Sequence, residues 1–229
     1  GSLGKTLKNT SSADLGAAVI ESSLKKSKLS KEDVDEVILG QVLTGGLGQN
    51  PARQAAIKSG LPKEVPAYIV NQVCGSGIRS IASGFQSIKS SDYKIIIAGG
   101  QENMSLAPHA IHLRDGKKLG DTELEDTMIK DGLWDAFHGY HMGITAENVA
   151  EKFQITRDQQ DKFAINSQDK ALKAQSSNKF KDEIINFKIK SKKAEINFNK
   201  DEHPREGINL QALSRLKPVF KKDGTVTAG

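Results

Sequence analysis

The 229 residues contain one cysteine, Cys74, in the stretch Asn71-Gln72-Val73-Cys74-Gly75-Ser76-Gly77, where an apolar run meets closely spaced glycines. A thiolate attacks and a thiol does so poorly, so a catalytic cysteine needs an electropositive setting such as the start of a helix. There the unpaired N–H groups of the first turn stabilise negative charge, and the Cys74 amide itself could point at a developing oxyanion. Gly75 and Gly77 would let a ligand and neighbouring backbone come close. Free cysteine is also among the most buried residue types, so these residues leave two readings open, a nucleophile and a small buried hydrophobe. A single cysteine excludes an intrachain disulfide framework, a Cys-only zinc site and any mechanism drawing two thiols from this chain alone. The histidines offer a weaker pattern. His109 with His112, and His138 with His141, share i, i+3 spacing, but no Cys, Asp or Glu completes either at a recognisable ligand spacing, so no metal is expected.

The elements around Cys74 are legible as alternating helices and strands. Residues 11–29 read as a helix, with Ser11 and Asp14 in capping-box spacing and Leu15, Ala18, Val19 and Ser22 on one face. Asp35 to Leu43 reads as a buried strand. It leads into a glycine-rich link and a helix that Asn50 can cap, Pro51 can open and Gly60 with Pro62 can end. The link resembles a phosphate loop only superficially, because Pro51 stands where a dinucleotide fingerprint needs glycine and no Walker lysine-serine pair follows. Ala67 to Val73 is a second strand, and beyond it Ile78, Ile81, Ala82, Phe85 and Ile88 recur at helical spacing, which puts Cys74 at a strand-to-helix junction. A third apolar strand ends in Gly99 and Gly100, so the first hundred residues follow the pattern of an α/β layered domain. From Asn103 to about Lys130 the sequence is irregular and polar, as in a long excursion. Helices resume at Thr145. Thr156 and Gln159 have capping-box spacing, with Phe163, Ala164, Ser167, Ala171 and Ala174 as the apolar stripe of the next helix. Ile185, Phe187 and Ile189, then Ile196 and Phe198, alternate with polar residues across a polar bend, the pattern of an antiparallel hairpin.

Composition narrows the class further. Apolar residues at 37% and charged residues at 27% are ordinary for a globular protein, and no apolar run is long enough to cross a bilayer. The net charge of +5 favours anionic ligands. The lysine clusters at 25–31 and 188–193 lack the interleaved aromatics of a base-stacking platform, so no nucleic-acid partner is expected. The N-terminus is polar, lacks a signal-peptide core and does not begin with Met, which suits a cut or tagged form and a cytoplasmic setting.

The run NQVCGSGIRSIASGFQSI followed by AGGQENMS closely resembles the active-site region of thiolases. The likeness continues through DGLWDAFHGYHMGITAENVAEKF, TRDQQDKFAINSQDKA, FKDEI, DEHPREG and LKPVFKKDGTVTAG, in thiolase order and spacing, and so covers nearly the whole chain. The resemblance implies a layered αβαβα fold, with residues 1–103 as the N-terminal α/β core and 104–229 as a loop domain inserted in it. It implies that Cys74 carries the acyl group as a thioester at the end of a buried helix. By position in the motifs, Leu133, His141 and Met142 resemble pocket and pantetheine contacts, Arg205 a group near the nucleotide end, and Ala228 part of the pantetheine-contacting stretch. The ordinary alternatives are core positions for Leu133 and Met142 and a solvated charge for Arg205. The His-Met-Gly triplet at 141–143 resembles the acetoacetyl-CoA branch, which implies Claisen condensation of two acetyl-CoA, or the reverse thiolysis, in a homo-oligomer (dimer or tetramer). Coenzyme A enters as thioester substrate, and the chemistry asks for no metal or redox cofactor.

The family also uses a histidine that activates the thiol, a second cysteine that takes the α-proton, and an asparagine that holds an oxyanion water, all in its C-terminal half. This chain stops at TVTAG, its one cysteine is already assigned, and the opening family strand is missing. The expectation is therefore a truncated chain, inactive alone. The competing readings are another thiolase-fold condensing enzyme, a 3-ketoacyl-CoA thiolase or ketoacyl synthase, and a non-catalytic CoA-binding or assembly fragment.

Overall fold

The computed structural model describes residues 1–190 and 195–229. The polar bend of the expected hairpin, with Lys192 and Lys193 of the second lysine cluster, lies outside the described residues. Chain contacts gather the rest into two compact units: Leu3–Gly132 with Phe187–Phe198, and Gly1–Ser2, Leu133–Asn186 and Asn199–Gly229. Residues 104–132, which the resemblance assigns to the loop domain, group by contacts with the sheet-bearing unit that holds Cys74.

In the first unit α1 and α2 start where the sequence supplies a cap. α1 (Ser12–Ser27) begins at Ser11, whose hydroxyl accepts from the Asp14 amide at 3.1 Å. β1 (Glu36–Gly40) follows, then α2 (Pro51–Lys58), where Asn50 accepts from the Arg53 amide and Pro51 fills the first turn. β2 (Ala67–Val70), α3 (Ser76–Lys89) and β3 (Ile96–Gly100) complete the core. The strands are parallel in the order β2-β1-β3, with Ile38 opposite Tyr68 and Ala98. Right-handed crossovers out to β2 and back past β1 to β3 put α2 and α3 on opposite faces.

The strand residues alternate accordingly. Val37, Leu39, Ile69 and Ile97 pack with Ile20 and Leu24 of α1 and Ala52, Ala55 and Ala56 of α2. On the other face α3 lies so close that a Cβ on its Gly84 would sit 3.2 Å from Ile96 and 3.7 Å from Ala98. α3 turns Ser76, Ser80 and Gly84 toward the sheet. Its apolar stripe faces away: Ile78 is 75% exposed, Ile81 53%, Phe85 63% and Ile88 44%. Helical periodicity located the helix, but the face against the sheet is the small-residue face, because only small side chains permit that approach. After β3 the chain forms the short antiparallel pair β4 (His109–Ala110) and β5 (Glu125–Asp126), then α4 (Thr127–Gly132).

The second unit opens with the hairpin β6 (Trp134–Asp135) and β7 (Tyr140–His141), which runs directly into α5 (Met142–Lys152). α6 (Arg157–Ser176) has the full capping box expected at Thr156 and Gln159. Its stripe differs from the expected one. Phe163 is 76% exposed and Asp161 is buried, because Arg157 pairs with Asp161 at 2.8 Å while also donating to the carbonyls of Leu213 and Leu216. The expected hairpin, whose residues group with the first unit, is present as β8 (Phe187–Lys190) and β9 (Glu195–Phe198), with Phe187 opposite Phe198 and Ile189 opposite Ile196. α7 (Leu210–Ser214) closes the order. Among the described residues no helix is long and apolar enough to cross a membrane.

Candidate active site

Cys74 lies on the corner between β2 and α3 and is exposed in this chain. The corner is tight. Val73 has φ +48°, a left-handed conformation that a β-branched residue rarely adopts. It is held there by hydrogen bonds on both sides: the Val73 amide donates to Asn71 Oδ1 at 2.9 Å, and the Gly75 and Ser76 amides donate to the carbonyls of Gln72 (3.0 Å) and Val73 (3.1 Å). The Ser76 hydroxyl latches the same turn, accepting from the Gln72 amide at 2.8 Å and donating to the Val73 carbonyl at 2.5 Å. A strained strand-to-helix turn that presents a nucleophile is the device of the nucleophile elbow. Gly75 occupies the N-cap of α3 without a side-chain cap, so no side chain occupies the positive end of the helix dipole beside the thiol.

Two glycines seat the corner on the sheet. A Cβ on Gly40, the last residue of β1, would fall 2.4 to 2.7 Å from backbone atoms of Ser76 and Gly77. One on Gly100 would fall 3.1 Å from the Gly40 carbonyl and 3.7 Å from Gly77 Cα. Ser80, fully buried, lies 2.7 Å from the carbonyls of both Gly77 and Gly99. The start of α3 thus meets the carboxyl ends of β1 and β3, where open parallel sheets bind ligands. The polar residues just after β3 serve the scaffold. Glu102 accepts from the Val42 and Leu43 amides, Asn103 donates to the Leu7 and Thr10 carbonyls, and Gln101 donates to Gln41.

The other five candidates belong to the second unit. Leu133, His141 and Met142 come together, because the Met142 amide donates to the Leu133 carbonyl at 2.8 Å at the open end of the β6–β7 hairpin. Asp135 shapes the hairpin tip by accepting from the amides of His138 (3.0 Å) and Phe137 (2.8 Å) and from the His138 ring (2.9 Å). Those amides, with the ring, hold its carboxyl below the usual range. His141 caps α5, its Nδ1 accepting from the Gly143 amide at 2.9 Å, so the neutral ring carries its proton on Nε2. Its face stacks on Phe220, centroids 4.8 Å apart at 18°. Ala228 is exposed on the segment that follows Phe220. Arg205 stands on the separate loop before α7, its amide donating to Gln168 of α6. Among the described residues no three of His, Cys, Asp or Glu gather into a metal-sized cluster. Phe220, Glu147, Val73 and Ser76 were not singled out by sequence. The roles of Phe220 and Glu147 come from contacts across the fold and that of Val73 from a backbone angle, neither of which has a spacing signature, while Ser76 acts within its own turn.

The sequence profile described as "Thiolase, N-terminal domain" matches residues 1–229. The chain belongs to the thiolase family. This thiolase chain is 55% identical over 229 residues to the acetyl-CoA acetyltransferase of Rhizobium meliloti (strain 1021), covering 100% of this chain and 58% of that protein. It is 53% identical, with the same coverage, to the acetyl-CoA acetyltransferase of Shinella zoogloeoides. The crystal structure of the Bacillus anthracis acetyl-CoA acetyltransferase matches it with a TM-score of 0.96 at 40% identity, over 100% of this chain and 58% of that one. The fold is that of the thiolase N-terminal domain, and the thiolase chain spans less than two thirds of the length of the relatives it matches.

Proposed function

We propose that this protein is an acetyl-CoA C-acetyltransferase in which Cys74 is the acyl carrier. The observation that carries the reading is the corner itself: the chain's one thiol, exposed on a strained turn at a helix start with no side-chain cap. In the first half-reaction Cys74 Sγ attacks the thioester carbonyl, the carbon–sulfur bond to coenzyme A breaks, and coenzyme A leaves as the thiol after taking up a proton. In the second, a base removes an α-proton from another acetyl-CoA. The resulting carbon attacks the acetyl-Cys74 carbonyl, forming acetoacetyl-CoA and releasing the Cys74 thiolate; thiolysis is the reverse. The resemblance puts that base in the family's C-terminal half, outside the 58% of the relatives' length that this chain matches. Leu133, His141, Met142 and Ala228 are assigned to the pantetheine arm and acyl group, and Arg205 to the nucleotide end. Both half-reactions are redox-neutral, so coenzyme A as substrate suffices and no further cofactor is assigned. A cytoplasmic homo-oligomer, dimer or tetramer, completes the reading.

The test is steady-state kinetics of the full-length protein with acetyl-CoA, longer acyl-CoAs and carrier-protein thioesters. Parallel double-reciprocal lines with acetyl-CoA as the best donor are expected. Preference for carrier-bound chains would select a ketoacyl synthase, and binding of coenzyme A without turnover would select an assembly module.

A further inference from the structure

α5 carries a carboxylate almost withdrawn from solvent. Glu147 is 5% exposed. Its oxygens accept from the Thr225 amide at 2.9 Å to each, from the Val226 amide at 2.8 Å and from the Thr225 hydroxyl at 3.2 Å. Burial alone would raise its carboxyl, but these donors, with the Lys221 charge, hold it below the ordinary value. The segment it grips is a closed turn: the Val219 amide donates to the Val226 carbonyl and the Gly224 amide to the Lys221 carbonyl, both at 3.0 Å. Lys221 also reaches Glu151, one helical turn beyond Glu147, at 3.2 Å. Gly224 is required by the grip, since a Cβ there would fall 2.2 Å from Glu147 Oε1.

This turn presents Phe220 to the start of the same helix. The ring fills the space above Gly143, where a Cβ would fall 2.2 to 2.4 Å from its atoms, and it lies flat on His141. His141 is therefore fixed twice, at Nδ1 by the Gly143 amide and across its face by Phe220. Nε2 is the ring nitrogen that the Gly143 amide does not engage.

We propose that Glu147 is a positioning residue for thioester binding: it sets the 219–226 turn, the turn sets Phe220, and Phe220 sets the His141 ring. This rests on the reading that His141 and the segment through Ala228 hold the substrate. The Glu147 carboxylate matters because an amide in its place keeps an acceptor on one side only and puts N–H donors where Oε2 accepts from the Thr225 amide and hydroxyl.

The experiment uses the full-length protein and three variants, Glu147→Gln, Phe220→Leu and Thr225→Val, with KM and kcat for acetyl-CoA, the Kd of coenzyme A by calorimetry and the NMR signal of the His141 ring. Glu147→Gln is expected to raise KM and Kd about tenfold, with kcat changed less, and to shift the His141 signal. Thr225→Val, which removes only the hydroxyl and keeps the fold at less risk, should shift the same quantities in the same direction by a few-fold. In the Phe220→Leu background Glu147→Gln should add little, because both act through one ring. A lowered melting temperature with unchanged Kd and His141 signal in both Glu147→Gln and Thr225→Val would overturn the proposal, as would full additivity with Phe220→Leu. A wild type that binds coenzyme A without transferring acetyl would sink the acetyltransferase reading instead, and Kd and the ring signal would still decide the role of Glu147.

Discussion

Cys74 owes its exposure to the residue before it. Val73 takes a left-handed angle that costs a β-branched residue about 1–3 kcal/mol, held by the Asn71 and Ser76 hydrogen bonds on either side. Glycine adopts that angle freely, at an entropic cost of about 0.5–1 kcal/mol in the unfolded chain. Val73→Gly should therefore leave the protein at least as stable in denaturant while slowing acetyl transfer to Cys74, because the corner loses its fixed shape. A clear loss of stability would show that Val73 is not strained there. Sequence placed the cysteine at this junction correctly, since the apolar run before it and the helical period after it are local signals. It could not show the strain, because no feature of Val73 announces a positive φ. The motif names His141, but nothing in the sequence marks Phe220 against its face, since that contact joins residues far apart in the chain.

At the scale of elements, the docking of α3 depends on small residues. Gly40→Ala would drive a Cβ into the Ser76–Gly77 backbone, and backbone cannot rotate aside as a flexible side chain does. The start of α3 must then lift from β1, for a loss of stability of about 1–3 kcal/mol or more, measured by denaturation. Acetylation of Cys74 should fall with it; a variant of unchanged stability and rate would mean the helix does not rest on Gly40. The caps of α1, α2 and α6 were readable because Ser11, Asn50 and Thr156 act on amides three residues on. The apolar stripes misled for α3 and α6, since periodicity reveals that a face exists without saying what meets it. α5 carries a pH signature. Glu147 has its carboxyl held below the ordinary 4.5 of a glutamate, so its contribution is whole above that value and drains as pH falls through the lower folded value. The stability gap between wild type and Glu147→Gln should be wide near pH ~7 and close at strongly acid pH, when both side chains are neutral. A gap constant with pH would mean the charge is not what grips the turn.

At the scale of the molecule, the two compact units divide the candidate residues. Cys74 and the glycines that seat it lie in the sheet-bearing unit, while Leu133, His141, Met142, Arg205 and Ala228 lie in the other. Motif order alone named residues in both units. It did not mark the boundary at Gly132, because the polar excursion before it has no period to follow and takes its place from the strand pair β4–β5. The most direct measurement acid-quenches the full-length protein after brief exposure to acetyl-CoA and maps the acetyl group by peptide mass. A single acetyl thioester on Cys74 is expected, lost on addition of free coenzyme A and absent from Cys74→Ser, which should also lose turnover because a serine hydroxyl is a far weaker nucleophile without a matched base. Sustained acetoacetyl-CoA formation with Cys74 unlabelled, or by the Cys74→Ser variant, would contradict the assignment of Cys74 as acyl carrier.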